Sequence, residues 1–207
     1  MPEIISLKNE FSKALEQAMV SLEAGGVIVF PTDTVYGIAA KYDNQHAIQR
    51  IYKIKDRDQT KALPVLIGKI NQLKHISTDV TPTIEKLMNK FWPGALTLIL
   101  TKNENVKTPL SLDNTIGVRL PNDQFVILLS EKVGPLATTS ANKSGFPNTT
   151  NVELVLDQIG GYVDLIIDGG ESPGGIPSTV VDCRDDNLTI IREGKIKLHE
   201  LEEVLKK

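Results

Sequence analysis

The chain has one cysteine, Cys183, in 207 residues. No internal disulfide is possible, and no Cys pair or tight His/Cys cluster offers a zinc site. A reducing compartment suits such a chain, and the cytoplasm is the expected setting. Aromatic residues make up only 5% of it, few for a surface that stacks bases. Apolar runs such as Val27–Phe30 and Ala95–Leu100 stop far short of the roughly 18 residues that cross a bilayer. The opening MPEIISLKNE lacks a basic stretch followed by an apolar one, so no signal peptide is expected. Excess positive charge is missing too. Lys and Arg number 23 against 26 Asp and Glu, a net charge of -3. That balance argues against a surface that grips nucleic acid throughout, but leaves room for a local basic groove. Neither GxxxxGK[ST] nor a GxGxxG between strand and helix occurs. Any ATP binding must then come from dispersed Lys, Arg, Ser and Asn.

What is present is the composition of a globular domain, 41% hydrophobic and 24% charged, long enough for one well-buried core. Phe11, Leu15, Ala18, Met19 and Leu22 share a helical face, with Asn9 or Ser12 as a cap and Gly25 as the stop. Val27–Phe30 reads as a buried strand ended by Pro31. Helices are expected near 44–55, 81–91, 123–132, 152–159 and 198–205, and strands near 63–67, 95–101, 115–120, 136–139, 165–167, 179–183 and 188–192. The last two strands are joined through Asp185-Asp186-Asn187. This alternation predicts an α/β fold: one domain over 1–207 with a twisted mixed sheet flanked by helices.

Polar and glycine-rich clusters recur at predicted strand ends, where α/β sheets place ligands. They are PTDTVYG (31–37), KIKDRDQTKALPVLI (53–67), TIGVRLP (115–121), TTSANKSG (138–145), PSTVVD (177–182) and IIREG (190–194). Lys55, Arg57 and Lys61 gather where a helix ends. They either offset its dipole in solvent or hold an anion. Ser140-Ala141-Asn142 is either a turn or a phosphate donor set. Arg119 lies between Val118 and Leu120, and a strand arginine beside apolar residues needs a partner. An internal Asp or Glu and a ligand carboxylate are the two candidates. Thr32, Asp33 and Thr34, and likewise Ser178 and Thr179, suit either a local turn or a small polar ligand. The glycine-rich loop containing Gly169, Gly170, Gly174 and Gly175 either moves or is closely approached by other groups. Trp92 and Cys183 read as packing residues. His46, His75 and His199 do not cluster.

In this order the segments resemble the YrdC-like (TsaC-type) family of threonylcarbamoyl-AMP synthases, over about 25–194. PTDTVYG matches a strong family signature, Lys55-Asp56-Arg57 matches KxR, and Ser140-Ala141-Asn142 matches SxN. The resemblance implies a YrdC-like fold and a nucleotidyltransferase reaction. L-threonine, bicarbonate and ATP, with Mg2+ accompanying the nucleotide, would give threonylcarbamoyl-AMP and pyrophosphate. A downstream tRNA threonylcarbamoyl transferase complex would then modify adenosine. By position, the resemblance makes Lys55, Arg57, Ser140 and Asn142 catalytic. It assigns Thr34, Arg119, Thr138 and Ser178 to L-threonine, and Arg57, Lys61, Thr115, Ser140, Asn148 and Arg192 to ATP. No protein metal ligands are implied. Leu66 stands where many relatives carry histidine. No extra C-terminal domain of the long form is expected here. Two other readings stay open: an RNA-binding module resting on Lys53, Lys55, Arg57 and Lys61, with weak tRNA affinity, and a paralogue acting on another amino acid.

Overall fold

A computed structural model describes residues 2–173, 175–185 and 188–206. Its strands are β1 (Glu3–Ser6), β2 (Ile28–Phe30), β3 (Gly37–Lys41), β4 (Val65–Leu66), β5 (Leu96–Thr101), β6 (Thr115–Arg119), β7 (Leu136–Ser140), β8 (Leu165–Asp168), β9 (Thr179–Asp182) and β10 (Thr189–Arg192). Its helices are α1 (Leu7–Glu23), α2 (Gln45–Lys55), α3 (Leu73–Ile76), α4 (Pro82–Phe91), α5 (Gln124–Val133), α6 (Val152–Gln158) and α7 (Leu198–Leu205). All ten strands join one twisted sheet, in the order β1-β8-β2-β3-β7-β4-β6-β5-β9-β10. Parallel pairs such as β4 with β6 and β5 with β9 mix with antiparallel pairs such as β5 with β6 and β3 with β7. The fold is therefore α/β with a mixed sheet, as the alternation of elements predicts.

The two faces of the sheet follow the period of two along each strand. Leu96, Leu98 and Leu100 of β5, Ile116 and Val118 of β6, and Val65 of β4 point into a core shared with α2, α4, α6 and α7. The opposite face is covered over only part of its width. There α1 and α5 pack Ala14, Ala18, Leu22, Phe125, Val126 and Leu129 against β1, β8, β2 and β3. Beyond those helices the alternate residues of β4, β6, β5 and β9 line a cavity instead.

Local signals explain most element boundaries. Asn44, Thr81, Asp123 and Asn151 each accept a backbone N–H three residues on, capping α2, α4, α5 and α6. After α1, Gly25 N and Gly26 N donate to Leu22 O and Ser21 O, with Gly25 at φ +80°, a conformation suited to glycine. The start of α1 differs from the expected cap at Asn9 or Ser12. Helix runs from Leu7, with a break at Glu10 (φ -138°, ψ 42°), because β1 pairs with β8 and delivers the chain directly into it. Trp92 packs with 8% exposure and its indole N–H bonds Leu96 O. Cys183 is buried just past the end of β9. Asp186, Asn187 and Gly174 lie outside the described residues.

Candidate active site

The KxR spacing acquires its meaning at the end of α2. Asp56 adopts the left-handed region (φ 50°, ψ 47°). Asp56 N donates to Lys53 O and Arg57 N to Tyr52 O, a Schellman closure. Lys55 thus turns inward from the last helical position, Asp56 faces out, and Arg57 reaches the cavity. Lys55 is 1% exposed. Its ammonium donates to the carbonyls of Ser140 and Asn142, and sits 3.4 Å from Asn142 Oδ1. Burial, and then the nearby Arg57 charge, push its pKa down to about 7.

The cavity encloses about 370 Å³, within the range of small-ligand sites. Thr34, Arg57, Arg119, Thr138, Ser140, Ser178 and Arg192 all line it, together with Leu66, Thr97, Gly117 and Ile191. It lies over the uncovered sheet face. Thr97, Gly117, Arg119 and Thr138 reach it from strand positions that alternate with core residues. Gly117 lines the floor without a side chain, although a Cβ there would make only ordinary contacts, 3.4 Å from Pro64 Cβ and Thr97 Cγ2.

Arg119 is anchored on several sides. Its Nε donates to Gly94 O at 2.9 Å, Nη1 to Thr34 Oγ1 at 3.1 Å, and Nη2 to Asp33 Oδ1. Burial lowers its pKa, and the Asp33 carboxylate opposes that shift. The internal partner considered for this strand arginine is therefore present, and the guanidinium still borders the cavity. Asp123 lies close by. Its burial raises its carboxyl pKa, and Asp33 adds to that rise. Arg192 donates from Nε and Nη2 to Ser178 O, and from Nη2 to Ser178 Oγ. Ser178 Oγ also meets Thr97 Oγ1 at 2.9 Å. Desolvation, then the like charges of Arg119 and Arg57, lower the Arg192 pKa. Arg57 donates to Lys61 O and Ala62 O. Three guanidiniums thus share one cavity.

Five expected site residues stand outside the cavity lining. Lys55 sits beneath it. Asn142 gives its amide N–H groups to Lys143 O and Phe146 O, which shapes the loop after β7. Lys61 is exposed and contributes its carbonyl to Tyr52 and Arg57. Thr115 bonds Asp113 at the far end of β6. Asn148 Nδ2 ties its loop to Gly175 O at 3.3 Å. Thr97 was missed from sequence, although a lone hydroxyl within the apolar run Leu96-Thr97-Leu98-Ile99 marks the face that is not core. Tyr36 also lines the cavity. Its hydroxyl donates to Gly170 O and accepts from Gly169 N, pinning one end of the glycine-rich loop. Burial drives its pKa to about 12.

Comparison with known proteins places these features. A family model for Sua5, YciO and YrdC, described as "Telomere recombination", matches residues 20–194. Threonylcarbamoyl-AMP synthase of Bacillus subtilis is 36% identical over 194 residues, which cover 92% of this chain and 56% of that protein. The crystal structure of P. abyssi Sua5 complexed with L-threonine superposes with a TM-score of 0.92 at 33% identity, covering 99% of this chain and 61% of that one. E. coli YciO superposes at 0.86 with 30% identity, covering 97% and 98% of the two chains. The chain spans about half the length of the first two curated relatives it matches. With a matching model over most of its length and the same fold, the chain belongs to the Sua5/YciO/YrdC family.

Proposed function

We propose that the chain is an L-threonylcarbamoyladenylate synthase, forming threonylcarbamoyl-AMP and pyrophosphate from L-threonine, bicarbonate and ATP. The observation that carries this reading is the convergence of Arg57, Arg119 and Arg192 on one hydroxyl-lined cavity. The names of the relatives support it. Both reacting partners are anions, and bringing them together requires fixed positive charge.

In this reading Arg119 holds the amino-acid carboxylate, with Thr34, Thr138 and Ser178 around the rest of the molecule. Arg57 and Arg192 neutralise the triphosphate, and Ser140 meets the nucleotide. The threonine amine and bicarbonate give N-carboxy-threonine and water. A carboxylate oxygen of the carbamate then bonds the α-phosphorus, the bond to the β-phosphate breaks, and pyrophosphate leaves. No protein nucleophile is needed, and alignment supplies much of the rate gain. Lys55, although buried, acts in this scheme by holding the Ser140–Asn142 turn. Among the described residues no group of three or more His, Cys, Asp or Glu could cage a metal. In this reading magnesium enters with the nucleotide, as part of the substrate. The product would pass in the cytoplasm to a tRNA threonylcarbamoyl transferase complex.

The RNA-binding reading loses half of its cationic support, since Lys55 is buried and Arg57 faces the cavity, leaving Lys53 and Lys61 exposed. The deciding experiment is pyrophosphate release from purified protein with magnesium present. Release should require L-threonine, bicarbonate and ATP together. No release under those conditions would reject the enzymatic reading. An amino-acid panel in the same assay identifies the substrate.

A further inference from the structure

The three cavity arginines are not equivalent. Arg57 and Arg192 donate to backbone carbonyls and one hydroxyl, and among the described residues neither enters an ion pair. Asp58 acts on Arg57 electrostatically, but it is fully exposed and its Oδ1 is taken by Thr60 N. Among the described residues, Arg119 alone of the three has a half-buried carboxylate partner. Its side chain is 7% exposed and that of Asp33 13%. With its Nε and one hydrogen on each Nη engaged, Arg119 has one N–H on each Nη that no group takes among the described residues.

We infer that Asp33 reserves Arg119 for the carboxylate of a zwitterionic amino acid by keeping phosphoryl groups off it. The inference rests on the reading of the cavity as a joint amino-acid and nucleotide site. A zwitterion brings its carboxylate to Arg119 with an ammonium close behind, so the pair meets no net charge. A phosphoryl group brings about two negative charges, and the Asp33 carboxylate repels them across a poorly solvated gap. Arg57 and Arg192 exert no such penalty. One cavity thereby sorts two ligands that would otherwise compete for the same type of side chain.

Calorimetric titration with inorganic pyrophosphate tests this without relying on turnover. Asp33→Asn should bind pyrophosphate about tenfold more tightly than the wild type or gain a second site. Asp33→Glu should retain the wild-type value, and adding Arg119→Gln to Asp33→Asn should remove the gain. Unchanged pyrophosphate binding in a folded Asp33→Asn protein overturns the inference, as does a gain that survives loss of Arg119. The wild type supplies an arm that needs no variant. Pyrophosphate and L-threonine should bind it together, and mutual exclusion there also overturns the inference. A wild type that binds no L-threonine would instead sink the proposed function, while the pyrophosphate arm still decides whether Asp33 guards Arg119.

Discussion

At the scale of single residues, charge and burial conflict at Lys55 and Arg119. The folded protein holds the Lys55 pKa near 7, against an ordinary 10.5. The unfolded chain therefore binds more protons between those values, and the Lys55 contribution to stability rises as pH climbs from about 7 toward 10.5. Below that window the full cost of a buried ammonium applies. Lys55→Met removes the titration and leaves the carbonyls of Ser140 and Asn142 without this donor, at about 1–3 kcal/mol for each unsatisfied group. Denaturant melts should show the wild type ahead of Lys55→Met by a margin that widens with pH across the window. A constant margin would contradict the depressed pKa. Arg119→Ala should raise KM for L-threonine much more than KM for ATP. It should also lower stability, by less than the roughly 3–5 kcal/mol of a fully buried broken pair, since the half-buried Asp33 is left unpaired. Equal changes in both KM values would remove Arg119 from its carboxylate role. Sequence marked Arg119 well, because an arginine among apolar strand residues is costly alone. It could not choose Asp33 as partner, which lies 86 positions away, nor show that Lys55 is buried, since a cation at a helix end is ordinarily solvated.

At the scale of elements, two turns set the geometry of the cavity. Asp56 holds a left-handed conformation that costs a non-glycine residue about 1–2 kcal/mol. Asp56→Gly should therefore stabilise the protein by about 1 kcal/mol in thermal unfolding and leave pyrophosphate release intact. Gly194 follows β10, and a Cβ there would stand 2.4 Å from Pro177 O and 2.5 Å from Thr179 N. Gly194→Ala must push the 177–179 segment away, separating Ser178 from Arg192, and ATP affinity should fall by an order of magnitude or so, as for loss of a charge-assisted bond. Unchanged nucleotide binding would show that the segment can shift freely. Long helices were legible because their apolar residues recur with the helical period and their caps precede them. β3 was not, because Gly37-Ile38-Ala39-Ala40 is buried on both faces and shows no alternation. β1 was missed for a different reason: four residues running straight into a helix carry no boundary signal.

At the scale of the whole molecule, the half-covered sheet decides where ligands go. The α/β class was readable from alternating elements, but the strand order was not, since sheet neighbours such as β1 and β8 are distant in sequence. The cavity gathers residues from Thr32 to Arg192, so a ligand bound there touches β3, β4, β5, β6, β7, β9 and β10 but not β1, β2 or β8. ATP and L-threonine, each at about 100 times Kd, should each add about 2.7 kcal/mol to unfolding free energy. Differential scanning calorimetry should register both shifts, and no shift with a ligand would show that the folded chain does not bind it.

The pairing of β1 with β8 also imposes a timetable on biosynthesis. Glu3 to Ser6 find their neighbours only after Leu165 to Asp168 have been translated and have left the ribosomal exit tunnel. Arg192, on the outermost strand at the opposite edge, emerges later still. Until β8 emerges, a nascent chain has one border of its sheet unmade, exposed to chaperones and to mispairing, and it acquires the last of its three cavity cations only after that border can form.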